Sequence, residues 1–379
     1  GHRHRPENQR RDRGLFIRRL SFSGFRNLKE GDLSPGQGVN ILYGDNAQGK
    51  TNLLEACWLF TGGKSFRGAK DRECVSLSAD EATLSLQFEA QEREQEATLH
   101  FGMRKALTLN GVPQRSVSAI TGRFCAVVFC PTHLQLISGA PDGRRRFMDA
   151  AYCQVRPGYA GVMRDYQRVL TQRNALLKLH RDDDLTKTQL DIWDARMAEA
   201  AAKVTLARLA YLKKLVPLAT AFYDGLSGGR EQLTLSLSTQ VETAGVTLGE
   251  LAAQYRALLQ KSRAVDMAAG FSTVGAHRED LCLDINAVSA GKYASQGQQR
   301  SAVLALKLSE ATLLKEISGE QPVALLDDVM SELDVARQDY ILNHIGDWQV
   351  LITCCDPVAI ERQTGGKVFH IQNGEITEK

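Results

Sequence analysis

The stretch that decides the fold is Gly44–Thr51, "GDNAQGKT", which follows the short apolar run "GVNILY" (Gly38–Tyr43) and opens the helical pattern "TNLLEACWLF" (Thr51–Phe60). A strand, a glycine-bounded loop ending in Gly-Lys-Thr and a helix form the context of a phosphate-cradling P-loop. Gly44 and Gly49 let the backbone curl, so that the N–H groups of Gly44, Asp45, Asn46, Ala47, Gln48 and Gly49 face phosphate oxygens. Lys50 supplies a point charge for the β- and γ-phosphates, and the Thr51 hydroxyl is suited to a Mg²⁺ ion. The expected ligands are therefore ATP and Mg²⁺.

A P-loop needs a second anchor for the metal. "VALLDDVMSELD" (Val323–Asp334) offers a buried strand ending in two carboxylates. Such a strand end is expected beside the P-loop in an open α/β sheet. Asp327 would hold Mg²⁺ through water, and Asp328 would orient or deprotonate the attacking water.

A third segment, "YASQGQQRSAVLALK" (Tyr293–Lys307), reads as a helix start. Ser295 followed three residues later by Gln298 has the spacing of a capping box, and the positive helix end with Gly297 makes an anion site. Ser295 lies 245 residues after Lys50 and 32 before Asp327. This order resembles the P-loop, signature helix and acidic strand of the ABC ATPase class. The resemblance implies that Ser295, Gly297 and Gln298 complete the site of a second subunit, with Asp334 of "MSELD" at the dimer seam as in a D-loop. It also puts Thr353 at the switch position where ABC transporters usually carry histidine, so turnover is expected to be slow.

The 379 residues suggest one large or two linked lobes. Hydrophobic content of 43% and charged content of 24% are those of a soluble globular chain. No apolar run reaches the ~18 to 20 residues of a membrane span and no signal peptide is visible, so the expected address is the cytoplasm, without membrane partners. None of the eight cysteines forms a CxxC pair, and all are read as reduced. Of the net charge of +3, all sits in residues 1–14, which hold five arginines against Glu7 and Asp12. That segment reads as a disordered basic tail or tag; the remaining 42 basic and 42 acidic residues balance. Any affinity for nucleic acid must come from a local patch.

Strand patterns recur from Leu15 to Cys130 ("LFIRRLSFSGFRNL", "GVNILYG", "ATLSLQFEAQ", "QEATLHFG", "KALTLNG", "RFCAVVFC"). After Pro131 the period becomes helical: Tyr159, Val162, Tyr166, Val169 and Leu176 form one stripe, and Trp193, Met197, Ala200, Val204, Ala207 and Tyr211 another. "HRDDDLTKTQ" (His180–Gln189) would be the turn between them, and Pro217 with the glycines of "YDGLSGGREQ" the end. Short strands return from about Phe271. The expected organisation is an α/β lobe I from 15–130 and 269–379, with a helical lobe II, 131–268, inserted.

"FRNL", "GDNAQGKTNLLEA", "GRRRFMD", "GAHREDL", "YASQGQQRS" and "LLDDVMSELD" together resemble the RecF family of bacterial recombination mediators, a branch of SMC-like ATPases without the long coiled coil. The resemblance spans Leu15 to about Gln372. It implies an ABC-type ATPase head, an ATP-dependent homodimer on gapped or duplex DNA or single-strand junctions, cooperation with RecR, help in loading RecA, and weak DNA-stimulated ATP hydrolysis. One departure stands out. In "VVFCPTHLQLI" Thr132 and His133 occupy places where the family usually has acidic residues, so no water-coordinating role is assigned there.

From Arg144 to Arg173 seven arginines stand against Asp149 and Asp165. Arg144, Arg145, Arg146, Arg164, Arg168 and Arg173 are candidates for duplex phosphates, Arg164 and Arg168 sharing a helix face; a solvated surface or ion pairs at a dimer seam are the alternatives. Arg26 is either a phosphate contact or a surface arginine. His277 and Arg278 are either a packing cluster or part of a DNA or dimer surface. A transporter subunit or a small-molecule kinase would share the P-loop. The former should carry a glutamate after Asp327 and a switch histidine, both absent, and the latter needs no signature helix. "LSGGR" (Leu226–Arg230) resembles a transporter signature but reads as a turn before a strand.

Overall fold

The computed structural model describes residues 14–180 and 182–379; the basic tail expected over 1–14 lies, Gly14 apart, outside the described residues. The chain divides into two compact units, one of residues 1–130 with 314–379 and one of 131–313.

The first unit carries two six-stranded sheets. One is built on five parallel strands in the order Lys367–Gln372, Val39–Tyr43, Val350–Cys354, Val323–Asp327 and Ala126–Phe129, with Glu375–Glu378 antiparallel at its edge. Val323–Asp327, Val350–Cys354 and Ala126–Phe129 are buried at every position, the continuous apolar runs expected of strands covered on both faces. The acidic strand is not the immediate neighbour of the P-loop strand: Val350–Cys354 lies between them. The carboxylate that must reach the P-loop does so across one intervening strand end, which is where Thr353 sits.

The other sheet is antiparallel, in the order Gly31–Leu33, Phe16–Ser23, Ala82–Ala90, Arg93–Phe101, Lys105–Leu109 and Val112–Pro113. Its strands alternate in burial, as in Ala82–Ala90, where Ala82, Leu84 and Leu86 face the core. Leu20, Leu84, Leu86 and Leu99 share one apolar cluster with Leu53, Leu54 and Cys57 of the P-loop helix, Lys50–Leu59. That packing fixes the helix whose first turn carries Lys50 and Thr51.

In the second unit helices Tyr159–Leu177, Asp184–Ser227 and Leu248–Ala269 pack through Tyr166, Val169, Met197, Val204, Tyr255 and Leu259. The two apolar stripes of the sequence are thus core. Asp183 caps the long helix by accepting the Thr186 amide at 2.7 Å. Pro217 does not end this helix but lies inside it. Pro217 and Lys213, whose carbonyl loses its partner, are both exposed, so the break lies on the solvent side of the helix, where its cost is small. The helix ends instead at Gly228, in the left-handed region with φ 67°. "LSGGR" is accordingly a helix end and turn before the strand Leu233–Ser238.

The boundary expected at 268/269 differs from the observed one at 313/314. The reason is a ladder: Asp280–Ile285 pairs antiparallel with Leu233–Ser238 over six residues, and Val288–Ser289 adds to its other side. Residues that the sequence assigns to lobe I are therefore held in the second unit.

Candidate functional site: a P-loop with an acidic strand end

Gly44 and Gly49 are required where they stand. A Cβ on Gly44 would lie 2.2 Å from the Ile371 carbonyl oxygen, and Gly49, with φ 115°, would press on Leu28 at 2.8 Å. The loop is held from outside by three bonds. The Asn27 side chain donates to the Ala47 carbonyl at 3.1 Å, and the amides of Asn373 and Gly374 donate to Gln48 at 2.6 and 3.0 Å. Ala47 takes a left-handed conformation, φ 62°. Asp45 and Asn46 are exposed on the loop.

Lys50 is buried, with Nζ donating to the carbonyls of Gly44 and Cys354, the latter at 3.1 Å, and 3.5 Å from the Cys355 sulfur. Its ammonium is thereby held at the rim of the loop by two carbonyls and a sulfur, and among the described residues no carboxylate pairs with it.

Thr51 Oγ1 donates to Asp327 Oδ1 at 2.8 Å. Thr353 Oγ1 donates to the same oxygen at 2.9 Å and accepts the amide of Asp328 at 2.9 Å. Thr353 therefore ties the two acidic residues together. Burial holds the Asp327 carboxyl above the ordinary carboxylate range; the two hydroxyls oppose that shift, Asp328 adds to it and the Arg67 charge counters it. Asp327 Oδ2 takes no hydrogen bond from the described residues. A buried carboxylate with a free oxygen beside a hydroxyl is a hard-oxygen donor set that fits Mg²⁺. Asp328 has φ 50° and accepts from Ser331 Oγ at 3.1 Å.

Within the second unit, Ser295 and Gln298 form the expected capping box: the Gln298 amide donates to Ser295 Oγ at 3.2 Å, and the Ser295 amide donates to Gln298 Oε1 at 2.8 Å. The helix behind it runs Gln296–Ser318, so Gly297 lies in its first turn. The Gln298 side chain is not directed outward as a nucleotide ligand: its Nε2 donates to Glu231 Oε1 at 2.9 Å. In the first unit, Asp334 caps the helix Val335–Ile345 by accepting the Arg337 amide at 2.9 Å, and its side chain is half-exposed.

The chain matches the family model described as RecF/RecN/SMC N terminal domain over residues 16–377. It is 38% identical over 371 residues to the DNA replication and repair protein RecF of Desulforamulus reducens, covering 96% of this chain and 99% of that one. To the protein of the same name from Agathobacter rectalis it is 36% identical over 367 residues, with the same two coverages. The chain belongs to the RecF family. Among solved structures, the recombination mediator protein RecF-ATPrS in the RecFOR pathway superposes with a TM-score of 0.90 at 33% identity, over 96% of this chain and 98% of that one. An Smc head domain derived from Pyrococcus furiosus, at 14% identity and a TM-score of 0.54, shares the fold, that of an ABC-type ATPase head. Membership in the RecF family over this length sets aside the transporter subunit and the kinase.

For a RecF-family chain, two of the arginines proposed for DNA are corrected by their burial. Arg173 is wholly inaccessible, bonded to Asp194, Asp266 and Ser272 at 2.7 Å each. Arg144 is buried against Asp280 and the carbonyls of Leu136 and Gly139. Arg145 is half-buried and donates to the Glu279 carbonyl at 2.8 Å. Arg146, Arg164 and Arg168 are exposed, Arg146 beside Asp142 and Arg168 beside Asp165. Arg26 pairs through both Nε and Nη2 with the buried Glu55 at 2.9 and 2.7 Å; burial opposes its charge, yet Glu55 raises its pKa further. That pairing makes Arg26 a largely buried, paired residue and not the surface arginine that is one of its two expected alternatives.

The "GAHRED" segment divides. His277 packs, accepting from Tyr166 Oη at Nδ1 (2.7 Å) and donating from Nε2 to the Ser272 carbonyl (2.8 Å). Arg278 is exposed over the Phe271 ring. Glu279 is buried and receives Thr205, Tyr255, Thr239 and Arg208. The sequence reading missed Arg67, which bonds Asn52 at 2.7 Å and bears on Asp327, and Glu231, which holds Gln298. No spacing rule marks either, because both reach their partners through loops.

Among the described residues no helix is long and apolar enough to cross a membrane. Among the described residues none of the eight cysteines is joined in a disulfide.

Proposed function

We propose that this chain is a cytoplasmic, ATP-dependent, dimerising DNA-binding protein of recombinational repair and replication maintenance. It would recognise gapped or duplex DNA or a single-strand junction, and assist RecR-dependent loading of RecA. The observation that carries the reading is the meeting of Lys50, Thr51, Asp327 and Thr353 at the ends of three parallel strands and one helix. The names of the RecF relatives support the cellular role, and the RecF structures solved with ATP and ATPrS support the ligand.

ATP is the substrate. Lys50 exchanges its carbonyl partners for β- and γ-phosphate oxygens, and the amides from Gly44 to Gly49 receive the rest of the triphosphate. Thr51 and Asp327 would hold Mg²⁺, which when bound neutralises charge between the β- and γ-phosphates. Asp328 orients the attacking water and takes its proton. Ser295 and the helix end around Gly297, with Asp334, engage the γ-phosphate of a nucleotide held by a second copy. Loss of that phosphate removes the bridging anion, so hydrolysis releases the dimer. With Thr353 tied to Asp327 and Asp328, no switch histidine reads the γ-phosphate, and turnover is slow.

Duplex contact falls to Arg146, Arg164 and Arg168, the exposed members of the arginine group. Competition binding to gapped, duplex and single-stranded DNA, with and without ATP and across salt, tests the reading. ATP-dependent preference for gapped or duplex DNA, weakening steeply with salt, supports it. Equal binding to all three, indifferent to ATP, overturns it.

A further inference from the structure

Four residues of the second unit form an unbroken hydrogen-bond relay from the core to the tip of the signature helix. Tyr223, fully buried near the end of the helix Asp184–Ser227, donates from Oη to Glu231 Oε2 at 2.6 Å. Gln298 Nε2 donates to Glu231 Oε1 at 2.9 Å. Gln298 Oε1 then accepts the Ser295 amide at 2.8 Å, and Ser295 Oγ accepts the Gln298 amide at 3.2 Å.

The chemistry of the side-chain amide gives this order its meaning. A glutamine presents a donor at one end and an acceptor at the other, and the two differ only by a half-turn. A carboxylate can only accept, so Glu231 demands the NH₂ end of Gln298. That leaves the oxygen facing the Ser295 N–H. Without Glu231 the amide is free to turn, and its NH₂ would then confront the Ser295 N–H, donor against donor, opening the capping box. The box in turn sets the serine hydroxyl: with a lone pair committed to the Gln298 amide, the O–H proton points away from the helix. Ser295 is exposed, and its hydroxyl proton is donated to none of the described residues. It is thus presented as a donor to an external oxyanion.

We propose that Glu231, anchored by Tyr223, is a positioning residue that fixes the Gln298 amide and thereby orients the Ser295 hydroxyl toward a phosphate oxygen. The inference rests on the reading that Ser295 meets a nucleotide held by a second copy. It assigns a role in assembly to the turn after the long helix, which no motif marks. It also makes the order of that turn a condition for dimerisation, without any contact of Glu231 with nucleotide.

The test is sedimentation velocity of the full chain across protein concentration, with a non-hydrolysable ATP analogue and Mg²⁺. Nucleotide binding to the monomer is measured in parallel by fluorescence titration. Glu231→Ala should raise the concentration needed for half-dimerisation about tenfold, the usual weight of a lost helix cap. Monomer affinity for the analogue should stay within about twofold, since P-loop and relay share no residue. Glu231→Gln keeps an acceptor for Gln298 when the Tyr223 hydroxyl turns to accept from its NH₂, and should recover part of the loss, a rescue that loss of packing alone would not give. The double variant Glu231→Ala with Gln298→Ala should be no worse than the weaker single one, because both cut the same relay. If Glu231→Ala dimerises as the parent does, or Glu231→Gln fails as badly as Glu231→Ala, or the two alanine effects multiply, the relay is overturned. Ser295→Arg separates the two claims. If it blocks dimerisation while Glu231→Ala does not, only the relay fails. If Ser295→Arg dimerises normally, the underlying reading of the helix tip fails.

Discussion

Thr51 and Asp327, 276 positions apart in the chain, share a hydrogen bond of 2.8 Å from hydroxyl to carboxylate. The bond joins the first turn of the P-loop helix to the end of a strand two places away in the sheet, and Thr353, on the strand between, donates to the same oxygen. The two direct donors to this buried carboxylate are neutral, so it forms no ion pair among the described residues, although the Arg67 charge bears on it. The carboxylate charge that remains is what a divalent cation would meet.

The cation dependence follows directly. Asp327→Asn removes the charge but keeps an oxygen for the two threonines. ATP affinity in Mg²⁺ should fall by about 1.5–3 kcal/mol, roughly ten- to a hundredfold, while affinity in EDTA changes little. Calorimetric titration in both buffers checks this; an equal loss without magnesium would place Asp327 outside the metal site.

Thr353→Val deletes one hydroxyl that donates to Asp327 and accepts from Asp328. Each bond contributes about 1 kcal/mol, so the first unit should lose about 2 kcal/mol toward urea. Thr353→Ser should restore most of it. If valine and serine behave alike, the hydroxyl bridge is not what holds the acidic pair.

The arginines separate by burial. Arg173→Ala leaves Asp266 buried without its cation, while Asp194 keeps Arg263, and should destabilise the second unit by about 3 kcal/mol or more. Arg168→Glu and Arg164→Glu, on an exposed face, should leave thermal unfolding nearly unchanged while reducing DNA affinity and the steepness of its salt dependence. Unfolding curves and binding across salt, taken on the same preparations, tell the two classes apart.

His277 makes stability depend on pH. Burial, chiefly, with Arg278 and Arg145 adding, lowers its pKa to about 4, against the opposing bond to the Ser272 carbonyl. The folded chain therefore binds fewer protons than the unfolded one between about pH 6.5 and 4. Its contribution is complete above pH 6.5 and is lost as pH falls toward 4, amounting to about 3 kcal/mol. Denaturant midpoints at pH 7.5 and 5 should differ less in His277→Gln than in the parent. Parallel curves would show that another group carries the dependence.

The sheet strands and the P-loop were legible because their signals are local: a continuous apolar run, glycines where a Cβ would strike Ile371 or Leu28, and Ser295 three residues before Gln298. Long-range partners were not. Nothing near Arg173 in the sequence reveals Asp194 and Asp266, so a charged helix position read as a surface patch. Pro217 read as a terminus because a helix interior penalises proline. On a solvent-facing turn that cost is small, and packing on either side carries the helix through. The lobe boundary was misplaced because the pairing of Asp280–Ile285 with Leu233–Ser238 spans a whole helix.

The central claim is that one triphosphate is gripped by two copies of the chain, by the P-loop of one and the serine-capped helix of the other. Sedimentation of the parent, Lys50→Met, Asp328→Asn and Ser295→Arg chains with ATP and Mg²⁺ tests it most directly. The account predicts a dimer only with nucleotide for the parent, none for Lys50→Met, a persistent ATP-bound dimer for Asp328→Asn, and an ATP-bound monomer for Ser295→Arg. A Ser295→Arg chain that dimerises with ATP as the parent does would contradict it.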